Sequence, residues 1–285
     1  MKAPQRQGTR KKNLRAHELL VRQGICSGSD EAKRWILAGK VIVNDRRVAK
    51  AGEWVPADAK VRVSGMRPYV GKGGHKLEGA LSAFAIRVDG ITALDAGAST
   101  GGFTDCLLQH GAERVYAVDA GYGMLAGKLR NDDRVVNLER TNISDLTTDD
   151  LDPLPSLATV DLSYLSLKKA IPVVARLLAA DGRMLCLVKP LFEVPDPEAR
   201  RRGRIANATA YRDVLNDLRQ FVKNEGLSLL GLTHSRVRGN KGTVEFWLWI
   251  AEGSAPYVEP AVDVEGAVEA ALTLPAWKGN GSDTL

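Results

Sequence analysis

The stretch Leu94–Phe103, LDAGASTGGF, decides the reading of this chain. It follows the apolar run Ile91-Thr92-Ala93 and precedes a helical pattern. It is therefore read as the turn from a strand into a helix, the place where open α/β sheets bind ligands at the carboxyl ends of their strands. Gly97, Gly101 and Gly102 permit tight backbone passage beside a ligand. Asp119 closes the next strand-like run, RVYAVDA, where a carboxylate can accept from ribose hydroxyls. The glycine spacing is G-x-x-x-G-G, whereas a dinucleotide site needs its second glycine two residues after the first, where this chain has Ser99. A nicotinamide-dependent dehydrogenase is the weaker reading.

Outward from the turn, apolar strand-like segments alternate with helical patterns. RVYAVDA precedes GMLAGKLR, RVVNLE follows, and ATVDL leads to LKKAIPVVARLLA. GRMLCLVK comes before a long helix near TAYRDVLNDLRQFVKNEG. This alternation specifies an α/β fold, a parallel-dominated sheet with helices on both faces. The last two strands, LSLLGLT and VEFWLWI, have no helix between them and predict an antiparallel hairpin. A short helix at Glu265 to Leu272 is expected within a peripheral tail, 254–285.

At the other end the charge is uneven. The 285 residues carry a formal net charge of +6, yet residues 1–70 hold 16 Lys/Arg against 6 Asp/Glu and the remainder is net acidic. A local excess of this kind is what a polyanionic partner selects, because each neutralised phosphate releases counterions. Residues 1–12 read as a basic arm. Leu14, Leu19, Leu20 and Val21 predict a first helix ending near Gly24, and a second starts at an N-cap on Ser29 or Asp30 and stops at Gly39. KVIVNDRRVAK then turns at Asn44-Asp45, and Ala59 to Val63 closes the unit. SGMRPYVGKGG, rich in Gly and Pro, reads as a linker over 65–74 ahead of the main domain, 75–253.

Cys26, Cys106 and Cys186 lack C-x-x-C spacing and paired histidines, so neither a zinc site nor a disulfide framework is indicated, and no metal is expected. No run of 18 apolar residues and no signal-peptide pattern is present, which points to a cytoplasmic protein away from membranes.

The wording LVRQGICSGSDEAKRWILAGKVIVNDRRV resembles the S4 RNA-binding domain, a small α+β unit, over roughly 13–64. From Arg67 to Glu245, RPYVGKGGHKLEGAL, LDAGASTGGFTDCLLQHGAERVYAVDAGYGML, ERTN, VDLSYLSL, LVKPLFE and GTVEF resemble the TlyA (hemolysin A) family of rRNA 2′-O-methyltransferases, within the wider FtsJ-like group. The resemblance implies a Rossmann-like class I methyltransferase domain that uses S-adenosylmethionine, yields S-adenosylhomocysteine and acts on ribosomal RNA or ribosomal subunits, with cytidine as the target. A monomer or weak dimer is expected.

It also implies a catalytic tetrad, here Lys76, Asp161, Lys189 and Glu245. Asp161 and Lys189 each end an apolar run, a costly place for charge in a core and a useful one at a sheet edge. The cofactor residues implied are Asp95, Gly97, Ala98, Ser99, Thr100, Gly101, Gly102, Phe103, Asp119 and Asp161. Asn142 in ERTN either meets adenine or caps the turn after it. Gly73 and Gly74 either approach the carboxylate end of the cofactor or only loosen the turn. RNA contacts are expected from Arg15, Arg22, Lys33, Arg34, Lys40 and Arg67. After LVKPLFE, where the family carries a glycine-rich stretch, this chain has a basic loop with Arg200, Arg201, Arg202 and Arg204, either a further RNA contact or a solvated charge run.

Three rivals remain. The first is a non-catalytic RNA-binding or ribosome-assembly factor that keeps the fold, disfavoured because no tetrad member is missing. A membrane-lytic protein, suggested by the historical family name, lacks a spanning segment. The third is the dehydrogenase already set aside.

Overall fold

The computed structural model describes residues 13–23, 25–26, 28–65, 68–163, 165–205, 207–253 and 262–275. They form two compact units, divided between positions 67 and 68.

The first unit holds β1 (Asn13–Arg15), α1 (Ala16–Arg22), α2 (Ser29–Leu37), β2 (Val41–Val43), β3 (Arg46–Arg47), β4 (Trp54–Pro56) and β5 (Val61–Val63). Ala16, Leu19 and Leu20 share one face of α1 at helical spacing, Ala32 and Ile36 one face of α2, and they bury against Val41, Val43 and Val55. The sheet runs β3-β2-β5 with antiparallel pairing. Asn44 and Asp45 have φ of 46° and 63°, the positive pair that a two-residue hairpin turn needs. Two expectations change. Leu14 is not helical, because its backbone pairs with Val55 in β4 and the helix starts only at Ala16. The cap of α2 is Gly28, and Ser29 is already its first helical residue.

The second unit contains α3 (Lys72–Ala83), β6 (Thr92–Ala96), α4 (Gly102–Gln109), β7 (Arg114–Asp119), α5 (Gly127–Arg130), β8 (Val135–Glu139), β9 (Leu157–Val160), α6 (Leu167–Ala175), β10 (Arg183–Val188), α7 (Pro190–Glu193), α8 (Pro197–Arg202), α9 (Ala208–Asn224), β11 (Ser228–His234), β12 (Phe246–Ala251) and α10 (Val264–Thr273). Its strands make one seven-stranded sheet, β11-β12-β10-β9-β6-β7-β8. β12 is antiparallel to both neighbours, as the missing helix predicts, and the pairs among β10, β9, β6, β7 and β8 are parallel. Alternate strand residues point to opposite faces. Leu94, Tyr116, Val118 and Cys186 pack with α6, α9 and α10, whereas Ala93, Val115, Ala117 and Leu187 pack with α3 and α4.

The linker is shorter than its composition suggests. α3 already begins at Lys72, Tyr69 is buried, and the Val70 amide donates to Asp105 Oδ2 at 2.8 Å. The 254–285 segment is not wholly peripheral either: α10 forms as expected, but buries Ala267, Val268 and Ala271 in the core. GMLAGKLR yields only the single turn of α5. Among the described residues no helix is long and apolar enough to cross a membrane.

Candidate active site

Asp161 directly follows β9, Lys189 directly follows β10, and Glu245 directly precedes β12. Because β12 runs antiparallel to β10 with Val188 opposite Phe246, the start of β12 lies beside the end of β10. Three residues far apart in sequence thus meet at one edge of the sheet, and Lys76 reaches them from α3. The Lys189 ammonium lies 2.5 Å from Asp161 Oδ1 and donates to Ser163 Oγ at 3.1 Å. The Lys76 ammonium lies 2.6 Å from Glu245 Oε2, with the side chains only 10% and 5% exposed. Burial pushes the Glu245 carboxyl above its usual range and the Lys76 charge pulls it back, while Asp161 and Lys189 act on it as well. The two ion pairs therefore form one electrostatic unit rather than two surface contacts.

They line a cleft of about 690 Å³ together with Gly97 and Ser99 of the glycine turn. Gly97 has φ of 95°, and a Cβ there would lie 2.6 Å from the Asp161 carbonyl oxygen, so the turn and the strand end carrying Asp161 touch through backbone. Ser99 takes φ of 48°, and its amide donates to Asp119 Oδ2 at 2.8 Å. Asp119 Oδ1 accepts from the Gly121 amide at 2.7 Å. Each carboxylate oxygen still has acceptor capacity for a ribose hydroxyl. Ser99 and Thr100 are exposed at the turn. The cradle therefore suits a nucleoside-type cofactor: backbone amides and a narrow glycine passage next to a carboxylate.

Other expected cofactor residues sit elsewhere. Asp95 is fully buried and accepts from the Thr104 amide at 2.9 Å, Thr104 Oγ1 at 2.6 Å and Thr159 Oγ1 at 3.1 Å. It braces the turn from inside and does not face the cleft. Phe103 is buried with its ring 5.5 Å from that of Trp247, and Ala98 is buried in the same core. Gly101 and Gly102 are buried. A Cβ on Gly102 would sit 3.0 Å from the Gly74 nitrogen and 3.2 Å from the Gly73 Cα. Gly73 and Gly74 thus let α3 and α4 approach closely. Asn142 accepts from the Ser144 amide at 3.2 Å and so caps the turn after it.

The basic candidates divide in the same way. Arg204 lines the cleft and has no ion pair among the described residues. Arg200 also lines it, but its guanidinium donates to the carbonyls of Leu191 and Phe192 at 3.0 and 2.9 Å, locking the end of α7. Arg201 pairs with Glu198, and Arg202 with Asp196 at 3.6 Å. In the first unit Arg15 donates to the Gly52 carbonyl at 2.6 Å and lies 4.0 Å over the Trp54 ring, and Arg22 donates to the Ala57 carbonyl. Lys33 pairs with Asp30 at 3.1 Å, while Arg34 and Lys40 are exposed. Arg67 lies outside the described residues. Ser163, Tyr211, Arg238 and Lys241 were missed as lining residues. Ser163, two places after Asp161 in VDLS, had a readable signal, while the other three reach the cleft only through tertiary packing.

The FtsJ-like methyltransferase family matches residues 69–252. The YqxC protein of Bacillus subtilis (strain 168), provisionally named an rRNA methyltransferase, is 40% identical over 91% of this chain and 94% of its own length. The 16S/23S rRNA (cytidine-2′-O)-methyltransferase TlyA of Mycobacterium tuberculosis (strain ATCC 25618 / H37Rv) is 39% identical over 81% of this chain and 87% of that protein. A solved structure from Streptococcus thermophilus, provisionally named a hemolysin, superposes with a TM-score of 0.69 at 35% identity, covering 92% of this chain and 96% of the other.

Proposed function

This chain belongs to the FtsJ-like methyltransferase family and is an S-adenosylmethionine-dependent methyltransferase, and we propose that it methylates a ribose 2′-hydroxyl of ribosomal RNA, with cytidine as the target. The observation that carries the reading is the meeting of Lys189, Asp161, Lys76 and Glu245 in one cleft with the glycine turn.

The sulfonium of S-adenosylmethionine supplies an already activated methyl, so the protein's share is positioning and proton handling. Gly97, Ser99 and Asp119 would hold the cofactor. An ammonium has three donors. Lys189 directs one at Ser163 Oγ and sits in ion-pair contact with Asp161 Oδ1, which fixes its nitrogen and leaves donor capacity for the substrate hydroxyl. Lys189 orients the hydroxyl and stabilises its oxygen as negative charge grows, while the hydroxyl proton is lost to water. Lys76 and Glu245 set the local potential around it. Arg34 and Lys40 of the first unit, with Arg204 at the cleft, supply phosphate contacts. The site of action would be the cytoplasm.

Lys189→Ala is expected to fold and to bind S-adenosylmethionine with unchanged affinity, measured by calorimetry, while transferring no methyl to ribosomal RNA. A variant that keeps near-normal transfer would remove Lys189 from the chemistry, whereas wild-type protein that transfers no methyl to ribosomal RNA would favour the reading as a non-catalytic assembly factor.

A further inference from the structure

Part of the cleft lining comes from the loop that joins β11 to β12 and carries Glu245 at its end. Arg238 lies in the loop joining β11 to β12. Its guanidinium donates to the Leu274 carbonyl through Nε at 3.0 Å and through Nη2 at 2.7 Å, and to the Leu272 carbonyl at 3.1 Å. These oxygens lie at and just beyond the end of α10, where the helix leaves carbonyls without internal partners and where positive charge is favoured. Through Nη1 the same guanidinium donates to the Gly242 carbonyl at 3.2 Å, within its own loop. One side chain therefore clamps the end of α10 to the loop.

That loop is the support of Glu245. The Gly239 backbone packs so closely on the carboxylate that a Cβ there would lie 2.2 Å from Glu245 Oε1. The Gly239 amide donates to the Thr243 carbonyl at 2.8 Å, and the Ser235 amide to the Glu245 carbonyl at 2.9 Å. Leu272, on the clamped end of α10, faces the same cleft and is 42% exposed. Ala267, Val268 and Ala271 anchor the helix in the core, so the clamp ties the loop to a fixed point.

We propose that Arg238 is a positioning residue for Glu245, and that α10 acts through it as the outer wall of the reaction cleft. The proposal rests on the tetrad reading above. Without the clamp, the loop over 239–243 loses its tie to α10, Glu245 is no longer held at 2.6 Å from Lys76, and Leu272 no longer closes the cleft. Arg238 does not lie on the glycine turn, so a positioning role for it predicts a loss of rate without a loss of cofactor affinity.

The test compares Arg238→Ala, Arg238→Lys and Lys189→Ala in the full chain. Misplacement of a supporting group by about 1 Å costs up to about a hundredfold in rate. Arg238→Ala is expected to lower kcat by roughly ten- to a hundredfold, with the Kd for S-adenosylmethionine within twofold. Amide exchange should quicken over 239–243 and 264–274 and stay unchanged in β6. Arg238→Lys, which keeps the charge and some of the donors, should recover part of kcat. Wild-type kcat in Arg238→Ala, or a fall that only follows the folded fraction or the cofactor Kd, would overturn the proposal. If Arg238→Ala does not fold, the same kcat and exchange criteria apply to Arg238→Lys. An active Lys189→Ala would instead overturn the tetrad reading, so the two failures are distinguishable.

Discussion

Lys76 and Glu245 form an almost buried ion pair, while Lys189 and Asp161 form a more accessible one beside it. A buried pair gains little net stability once desolvation is counted, so its presence at a cleft is better explained by what it does to neighbouring charge than by folding. Asp95 is different. It is a buried carboxyl with no cation beside it among the described residues, served by two threonines, and burial raises it from its usual 3.8 to about 6. The folded chain keeps that proton until about pH 6, whereas the unfolded chain releases it near 3.8, so this group's contribution to stability falls as pH rises between those values and is flat above them. The loss amounts to about 3 kcal/mol at most. Asp95→Asn should remove it: urea unfolding of wild type and variant across pH 4 to 7 should show the wild type losing stability relative to the variant, and parallel curves would refute the assignment. The four tetrad positions were legible from motif wording, and Asp95 was legible as important. Its direction, inward to Thr104 and Thr159, was not, because residues on a strand alternate faces and a position one residue before the strand's end does not reveal which oxygens find partners.

At the level of elements, the turn after β6 and the end of β9 are held together by backbone contact at Gly97. Gly97→Ala places a methyl in a left-handed conformation and against the Asp161 carbonyl oxygen, 2.6 Å away. Backbone strain of this kind costs about 1–3 kcal/mol. Because relief requires moving either the cofactor turn or Asp161, the variant should lose cofactor affinity and methyl transfer together, with a lower melting temperature. A stable variant with wild-type affinity would show that the contact yields freely. Most elements of the sheet were legible as alternating apolar runs, and the final antiparallel hairpin followed from its missing helix. The short strands β1 and β4 were not, since three-residue strands flanked by charge, Gly and Pro have too little periodicity to stand out. The same limit hid the start of α3, where glycines that read as a linker are instead the surface on which α3 and α4 approach.

For the molecule as a whole, the basic excess sits in the first unit and the chemistry in the second. Removing residues 1–64 should weaken RNA binding, most at low salt, because the lost contacts are to phosphates, and should leave the Kd for S-adenosylmethionine unchanged. Filter binding over a salt series checks it; equal RNA affinity with and without the segment would deny the first unit its role. The sequence by itself determined the α/β class, the glycine turn, the four charged positions and the division of charge along the chain, because each is written in local pattern or in motif wording. Only the tertiary structure decided that three strand ends and a helix bring those four charges into one cleft, that Arg200 and Arg238 hold carbonyls while Arg204 faces the opening, and that α10 belongs to the core. These are matters of long-range packing, in which a side chain's partners come from residues tens of positions away, and no local pattern records them.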